Sequence, residues 1–63
     1  MNGLRACRQR AGMRQEDLAR NLHVVRSTVA NWETGRALPA VTMLPDIAKT
    51  LGCSIDSLFE RGK

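Results

Sequence analysis

Aromatic residues are scarce in this sequence, which has one Trp, one Phe and no Tyr among 63 residues. A core built from this chain is therefore mainly aliphatic. Long apolar runs are absent too, and none approaches the roughly 20 residues that span a membrane. No basic start leads into an apolar stretch and a small-residue cleavage site. These absences predict one soluble, cytoplasmic domain over residues 1–63, near the lower size limit for independent folding.

Cysteine and histidine are also rare. The cysteines, Cys7 and Cys53, lie far apart in the sequence, and His23 is the single histidine. Each cysteine takes a position that suits a core aliphatic residue, so we expect buried free thiols, with a disulfide as the less favoured alternative. The three residues lack zinc-site spacing. With no clustered acid–base pair and no glycine-rich phosphate loop, we expect neither an enzyme nor a cofactor.

No segment alternates with a two-residue period, so we expect no sheet. Apolar spacings of three and four residues instead predict a compact all-α domain. The five predicted helices cover about residues 3–11, 15–22, 26–33, 42–51 and 55–60. The residues predicted to mark helix ends are Asn2, Thr42 and Ser54 as N-caps, Gly12, Gly35 and Gly52 as stops, and Gly62 and Lys63 as a frayed end.

The second and third predicted helices form the pair around which the chain is organised. Each has apolar residues along one side, and the third has polar residues opposite them. The predicted buried side holds Leu18, Ala19 and Leu22, then Val24 in the corner, then Val29 and Trp32. The predicted exposed side of the third helix holds Ser27, Asn31 and Thr34, with Arg26 at its N-terminal end. Such a helix docks its back on a core and offers its front to a polar partner.

The positive charge is concentrated in the half of the chain that holds this pair. Residues 1–36 carry seven arginines against three acidic residues, a balance of +4, whereas residues 37–63 balance to zero. Arginine suits bidentate contact with phosphate or guanine. A basic face of this kind indicates either a nucleic-acid binder or, as a simpler alternative, a solvated basic surface.

A larger set of residues falls at the spacings of a known family. These residues are Arg8, Gly12, Met13, Gln15, Leu18, Ala19, Leu22, Val24, Ser27, Thr28, Val29, Asn31, Trp32, Glu33, Gly35, Arg36 and Pro39, followed by Ile47, Ala48, Lys49, Leu51 and Gly52. With them the chain resembles the phage-repressor and Cro-like (XRE-type) helix-turn-helix family over about residues 3–60. The resemblance implies a five-helix, lambda-repressor-like fold with the helix-turn-helix in helices 2 and 3.

The resemblance also implies a set of DNA-binding residues. The third helix becomes the recognition helix in the major groove, with its N-terminal end toward the bases. Base-reading positions fall on Arg26, Ser27 and Asn31, and backbone-clamping positions on Gln15, Thr34 and Arg36. Arg26 is the best candidate for guanine, and Asn31 for adenine. Thr28 is a candidate for a phosphate or a thymine methyl.

Arg8 is an anomaly, since it shares a face with apolar residues and a buried guanidinium needs an acidic partner. The resemblance pairs it with Glu33 as an internal ion pair. A phosphate contact by Arg8 is the minor alternative. Two corner residues depart from the family. His23 takes a left-handed position where Gly is usual, and Val25 stands where Ser or Thr is usual. Each departure is expected to forgo about 1 kcal/mol of stability.

The function implied is sequence-specific binding of double-stranded DNA by a repressor-like transcriptional regulator. Such domains commonly bind an inverted repeat as dimers, with half-sites about 34 Å apart. We expect a homodimer through the fifth helix and adjoining loop, with Leu58 and Phe59 in an apolar patch, and a cytoplasmic location on the nucleoid. The alternative is a protein-binding module, such as an antitoxin-like or adaptor subunit, in which helix 5 matters and Arg26 and Asn31 do not.

Overall fold

The fold is a bundle of short helices, seen in a computed structural model that describes residues 1–60. The helices are α1 (Leu4–Arg10), α2 (Gln15–Leu22), α3 (Arg26–Thr34), α4 (Leu44–Leu51) and α5 (Ile55–Leu58), with a 3₁₀ turn at Val41–Met43 before α4. No strand occurs within residues 1–60. The all-α prediction is therefore confirmed. None of the helices in this part of the chain has the length and apolar content needed to cross a bilayer.

The start of α1 differs from the prediction. Gly3, not Asn2, is the N-cap residue, and no side chain caps the helix. The Gly3 N–H donates to the Leu58 carbonyl at 2.9 Å. A Cβ on Gly3 would lie 1.9 Å from the carbonyl oxygen of Ser57. Gly3 is thus required because α1 begins directly against the backbone of α5.

The predicted start of α4 at Thr42 is also wrong. Thr42 lies inside the 3₁₀ turn, and α4 begins two residues later with Met43 as its N-cap. Pro45 falls in the first turn of α4, where its missing N–H costs no helical hydrogen bond. At the other end α5 stops at Leu58, short of the predicted residue 60. The frayed end predicted at Gly62 and Lys63 lies outside the described residues.

The core draws on all five helices. Its fully buried members are Leu4, Leu18, Val29, Ile47 and Leu58, joined by Met1, Cys7, Ala19, Trp32, Ala48 and Leu51. The expected inward residues of α2 and α3 are in place, with Leu22 and Val24 partly buried against the core. Leu58 corrects one prediction: it fills the core with 0% exposure, so it contributes nothing to a surface patch. The Leu58 side chain is buried where α5 packs against α1.

Both cysteines are free thiols, as expected. Cys7 is buried, whereas Cys53 is only partly buried, in the turn between α4 and α5. Burial and a hydrogen bond with Cys7 raise the pKa of the Cys53 thiol to about 11. Because the thiolate is the reactive form, this raised pKa lowers the reactivity of the Cys53 thiol.

The corner between α2 and α3 recurs between α4 and α5. The residue after α2, His23, has φ 61° and ψ 39°, and the residue after α4, Gly52, has φ 68° and ψ 34°. Each following helix starts after an extended residue, Val25 before α3 and Ser54 before α5. The backbone φ and ψ angles of these two residues are almost the same. Residues 18–29 and 47–58 share a pattern of burial but little sequence identity, so the repetition is not visible in the sequence.

Candidate nucleic-acid interface

The first corner sets the angle between α2 and α3. His23 adopts the predicted left-handed conformation, and the Val24 N–H donates to the Ala19 carbonyl at 3.0 Å. Val24 packs against the core from inside the corner. Val25 lies outside with 65% exposure and gives α3 no side-chain cap, as its chemistry predicts. Backbone hydrogen bonds and the packing of Val24 against the core therefore define the corner.

A buried ion pair locks α3 onto α1. Arg8 Nε lies 2.6 Å from Glu33 Oε2, and Arg8 Nη2 lies 3.2 Å from Glu33 Oε1. A third donor, Arg8 Nη1, lies 2.9 Å from the Met13 carbonyl oxygen. The two side chains are only 10% and 4% exposed. The implied pairing of Arg8 with Glu33 is confirmed, and Arg8 is directed inward at protein acceptors.

The outward side of α3 is polar, as its periodicity predicts. Val29 and Trp32 are buried beneath it. Arg26, Ser27 and Asn31 are exposed, and Thr28 is half-buried. The helix has nine residues, or about 13 Å of length, and the usual helix diameter of about 10–12 Å fits a major groove about 12 Å wide.

Two of the predicted backbone-clamping residues, Thr34 and Arg36, lie at the C-terminal end of α3. Thr34 Oγ1 donates to the Asn31 carbonyl at 3.3 Å, and the Arg36 N–H donates to the same carbonyl at 2.9 Å. Gly35 lies between them with φ 85°, in the left-handed region. The turn places Thr34 and Arg36, both exposed, at the C-terminal end of the candidate surface.

Gln15 marks the opposite end of the surface and contacts two charged residues. Its Nε2 lies 3.1 Å from Glu33 Oε1, and its Oε1 lies 3.2 Å from Arg26 Nη1. The side chain thus links the buried ion pair to the first residue of α3. No periodicity or motif spacing in the sequence signals this contact, since it depends on the rotamers of three long side chains.

Acidic charge near the surface is compensated by pairs within residues 1–36. Asp17 Oδ2 accepts from the backbone N–H of Arg14 at 3.0 Å and from Arg14 Nε at 3.2 Å. These hydrogen bonds lower the pKa of Asp17, and the hydrogen bond with Asp17 raises the pKa of Arg14. Arg20 approaches Glu16 at 4.0 Å. With Glu33 bound by Arg8, the positive charge of Arg26 and Arg36 dominates the exposed side of α3.

Residues 1–60 contain no group of three His, Cys, Asp or Glu side chains placed to hold a metal ion. The features that this region does present are a buried ion pair, a left-handed corner and a helix with a polar, arginine-bearing front. Together they define a helix-turn-helix unit, in which the second helix carries the groups that contact DNA.

Comparison with known proteins identifies the class. The helix-turn-helix family matches residues 4–58, and the chain belongs to that family. Helix-turn-helix domains bind DNA through the second helix of the pair. The chain is similar to the HTH-type transcriptional activator BcrR of Enterococcus faecalis, with 34% identity over 56 residues. That match covers 89% of this chain and 28% of BcrR, so the chain spans less than a third of the length of that protein.

Proposed function

We propose that this domain binds a specific DNA duplex and regulates transcription. The observation that carries the proposal is the position of Arg26. It stands exposed at the N-terminal end of α3, while Val29 and the Arg8–Glu33 pair fix the back of the same helix. A guanidinium held at that end of a helix-turn-helix suits bidentate recognition of guanine O6 and N7.

The other exposed groups of α3 and its flanks complete the proposed surface. Ser27, Thr28 and Asn31 join Arg26 in facing the bases, with Asn31 directed at adenine. Gln15, Thr34 and Arg36 flank the helix and meet the sugar-phosphate backbone. In this division the flanking contacts fix orientation and the α3 contacts select the sequence.

The proposed binding unit is a homodimer on an inverted repeat, because one such small surface buries too little area for tight binding. Because Leu58 is in the core, the candidate dimer surface consists of Ile55 on α5 and Phe59 just after it. These two residues are 39% and 45% exposed. Half-sites about 34 Å apart then place both copies of α3 on one face of the duplex. The location proposed with this function is the cytoplasm, on the nucleoid.

Repressor-like action is the proposed regulatory outcome, through occupation of promoter DNA. BcrR is named as an activator. A reporter gene with the bound site placed over the promoter separates the two outcomes. Reporter output falls when the domain represses, and a rise shows that the domain activates.

Selection of bound duplexes from a random pool, at one fixed salt concentration, tests the proposal. The wild-type protein is expected to enrich an inverted repeat, and Arg26→Ala to lose the preference at one base pair in each half-site. Arg5→Ala is the matched control, because it removes the same charge from an exposed position on α1. It should weaken binding to all duplexes equally while keeping the enriched sequence.

If no sequence is enriched, any DNA binding by the domain is nonspecific and electrostatic. That result refutes the proposal. The protein-binding alternative predicts a different pattern. In that case Arg26→Ala and Asn31→Ala leave cellular function intact, and substitutions on α5 abolish it.

A further inference from the structure

The thiols of Cys7 and Cys53 lie against each other between α1 and the turn that precedes α5. Cys7 Sγ donates to the Ser57 carbonyl at 3.8 Å, which directs its sulfur toward α5. Cys53 is hydrogen-bonded with Cys7. Because the Cys7 S–H already has an acceptor in Ser57, the Cys7 sulfur is the acceptor for the Cys53 thiol. The two sulfur atoms therefore meet where α1 reaches the turn between α4 and α5.

The backbone on each side of this contact is fixed by hydrogen bonds. The Cys7 N–H donates to the Gly3 carbonyl at 3.0 Å, and the Cys53 N–H donates to the Ala48 carbonyl at 3.0 Å. The Gly3 N–H donates to the Leu58 carbonyl at 2.9 Å, which ties the start of α1 to the end of α5. The folded backbone thus holds the two thiols together, at an effective concentration well above that of a free thiol in solution.

We propose that Cys7 and Cys53 are a site of reversible oxidation, at which a low-molecular-weight disulfide converts the two thiols into an intramolecular disulfide. Both thiols are free in the structure, as they are under reducing conditions. The new bond staples α1 to the turn before α5 and closes a loop over most of the chain. A domain of 63 residues lies near the lower size limit for independent folding, so such a staple strongly affects its stability. This inference does not depend on DNA binding.

Oxidation proceeds by two thiol–disulfide exchanges, which pass two electrons to the reagent. Cys53 reacts first because it is partly exposed, whereas Cys7 is only 2% exposed. The Cys53 thiol loses its proton to water, its sulfur bonds to one half of the reagent, and the other half leaves as a thiolate. Cys7 then loses its proton, and its sulfur attacks Cys53 Sγ. The second half of the reagent leaves, and the two released thiolates take up the two protons.

The surroundings of Cys53 slow this exchange and favour its product. Burial and the hydrogen bond with Cys7 raise the pKa of the Cys53 thiol to about 11, so the attacking thiolate is scarce. The guanidinium of Arg10 acts in the opposite direction but does not outweigh them. Strongly oxidising disulfides are those whose reduced form gains a stabilised thiolate. The raised pKa denies the reduced pair that gain, so the disulfide should resist reduction once it has formed.

The test is equilibration of the reduced protein in a buffer rich in oxidised glutathione, followed by an acid quench and measurement of the intact mass. Because the chain has two cysteines, the loss of two hydrogens identifies the intramolecular disulfide. Wild type should show this loss without attached glutathione. Cys7→Ala should instead keep one glutathione on Cys53, and Cys53→Ala should stay unmodified because Cys7 is buried.

A second readout measures the effect of the staple on the fold. The fold and the disulfide stabilise each other by the same free energy. A denaturant that unfolds the protein should therefore lower the equilibrium constant for disulfide formation by about 30-fold or more. Oxidised wild type should melt about 10 °C or more above the reduced protein, and dithiothreitol should reverse the change. Cys53→Ala should melt at the same temperature after either treatment.

Three results overturn the inference. A wild-type protein that keeps its mass, or stops with glutathione attached, shows that the two sulfur atoms do not bond. Disulfide-linked dimers show that the thiols react between molecules and not within one. An intramolecular disulfide that fails to raise the melting temperature shows that the native fold does not accommodate the bond. If melting curves show that Cys7→Ala does not fold, wild type and Cys53→Ala decide the question.

Discussion

The molecule builds the same helix-turn-helix corner twice, and the two corners use different residues. Residues 18–29 form the first corner, and residues 47–58 form the second. At the left-handed position the first has His23 and the second has Gly52, with φ values of 61° and 68°. At the N-cap the first corner has Val25, whose side chain has no hydrogen-bond acceptor, and the second has Ser54, whose Oγ accepts from the Ser57 N–H at 3.1 Å.

The second corner therefore follows local conformational preferences, and the first departs from them at two positions. The first corner is held by a longer-range contact, the Arg8–Glu33 pair between α1 and the end of α3. Its second helix begins with Arg26, whereas the second corner continues with the partly exposed apolar Ile55. The two corners therefore share a backbone shape and differ in their outward side chains, which on α3 are polar and include an arginine.

The substitution with the largest predicted effect removes the ion pair that holds the helix after the first corner. Glu33→Ala leaves the Arg8 guanidinium buried without its acidic partner, so it should cost about 3–5 kcal/mol of folding stability. Glu16→Ala is the control, because the Glu16 side chain is 52% exposed and 4.0 Å from Arg20. Thermal melting of both variants measures the difference. Equal melting temperatures would show that the ion pair does not hold the corner.

Exchanging the left-handed residues should give effects of opposite sign. Gly52→His places a Cβ at φ 68° and should destabilise the fold by about 1–2 kcal/mol. His23→Gly relieves the same strain in the first corner and should stabilise the fold by about 1 kcal/mol. Chemical denaturation measures both changes. A loss of stability in His23→Gly would show that the imidazole makes a stabilising contact.

Exchanging the N-cap residues of α3 and α5 should also change stability in opposite directions. Val25→Ser supplies a hydroxyl acceptor to the start of α3 and should raise stability by about 1 kcal/mol. Ser54→Val removes the acceptor from the start of α5 and should lower stability by about the same amount. Because Val25 is 65% exposed, little packing is lost in the first exchange. A lower melting temperature for Val25→Ser would reveal an apolar contact of Val25.

The smallest predicted effect concerns the start of α2 and depends on pH. Hydrogen bonds from Arg14 lower the pKa of Asp17 below its ordinary value of 3.8 in the folded protein. The carboxylate therefore stabilises the fold fully above pH 3.8, and this stabilisation is lost as the pH falls through the lowered pKa. Asp17→Asn should show a weaker loss of stability in that acid range. Parallel acid titrations followed by circular dichroism compare the two proteins.

The sequence predicted the elements that depend on local pattern. The bounds of α2, the start of α3, the left-handed conformation at His23, the free state of both thiols and the Ser54 cap are confirmed. The family resemblance supplied the Arg8–Glu33 pair, which periodicity alone only marked as a charge in need of a partner. The roles of Arg26, Ser27, Thr28, Asn31, Gln15, Thr34 and Arg36 in DNA binding stay predictions.

The errors at Asn2 and Leu58 arose where distant parts of the chain meet. Gly3 is the N-cap of α1 because the backbone of α5 lies against it, and Leu58 is buried because α5 closes on α1. No local pattern contains either contact. The hydrogen bond between Gln15 and Arg26 escaped prediction for a similar reason, since it joins residues 11 positions apart through side-chain rotamers.

The central claim is that the first corner binds DNA and the second, with the same backbone shape, does not. Backbone amide chemical shifts, recorded as the enriched duplex is added to isotope-labelled protein, test this claim directly. The account predicts the largest shifts at Gln15, at residues 26–31 and at residues 34–36, with small shifts across residues 52–56. Shifts centred on residues 52–56, or spread evenly over the basic surface, would contradict it.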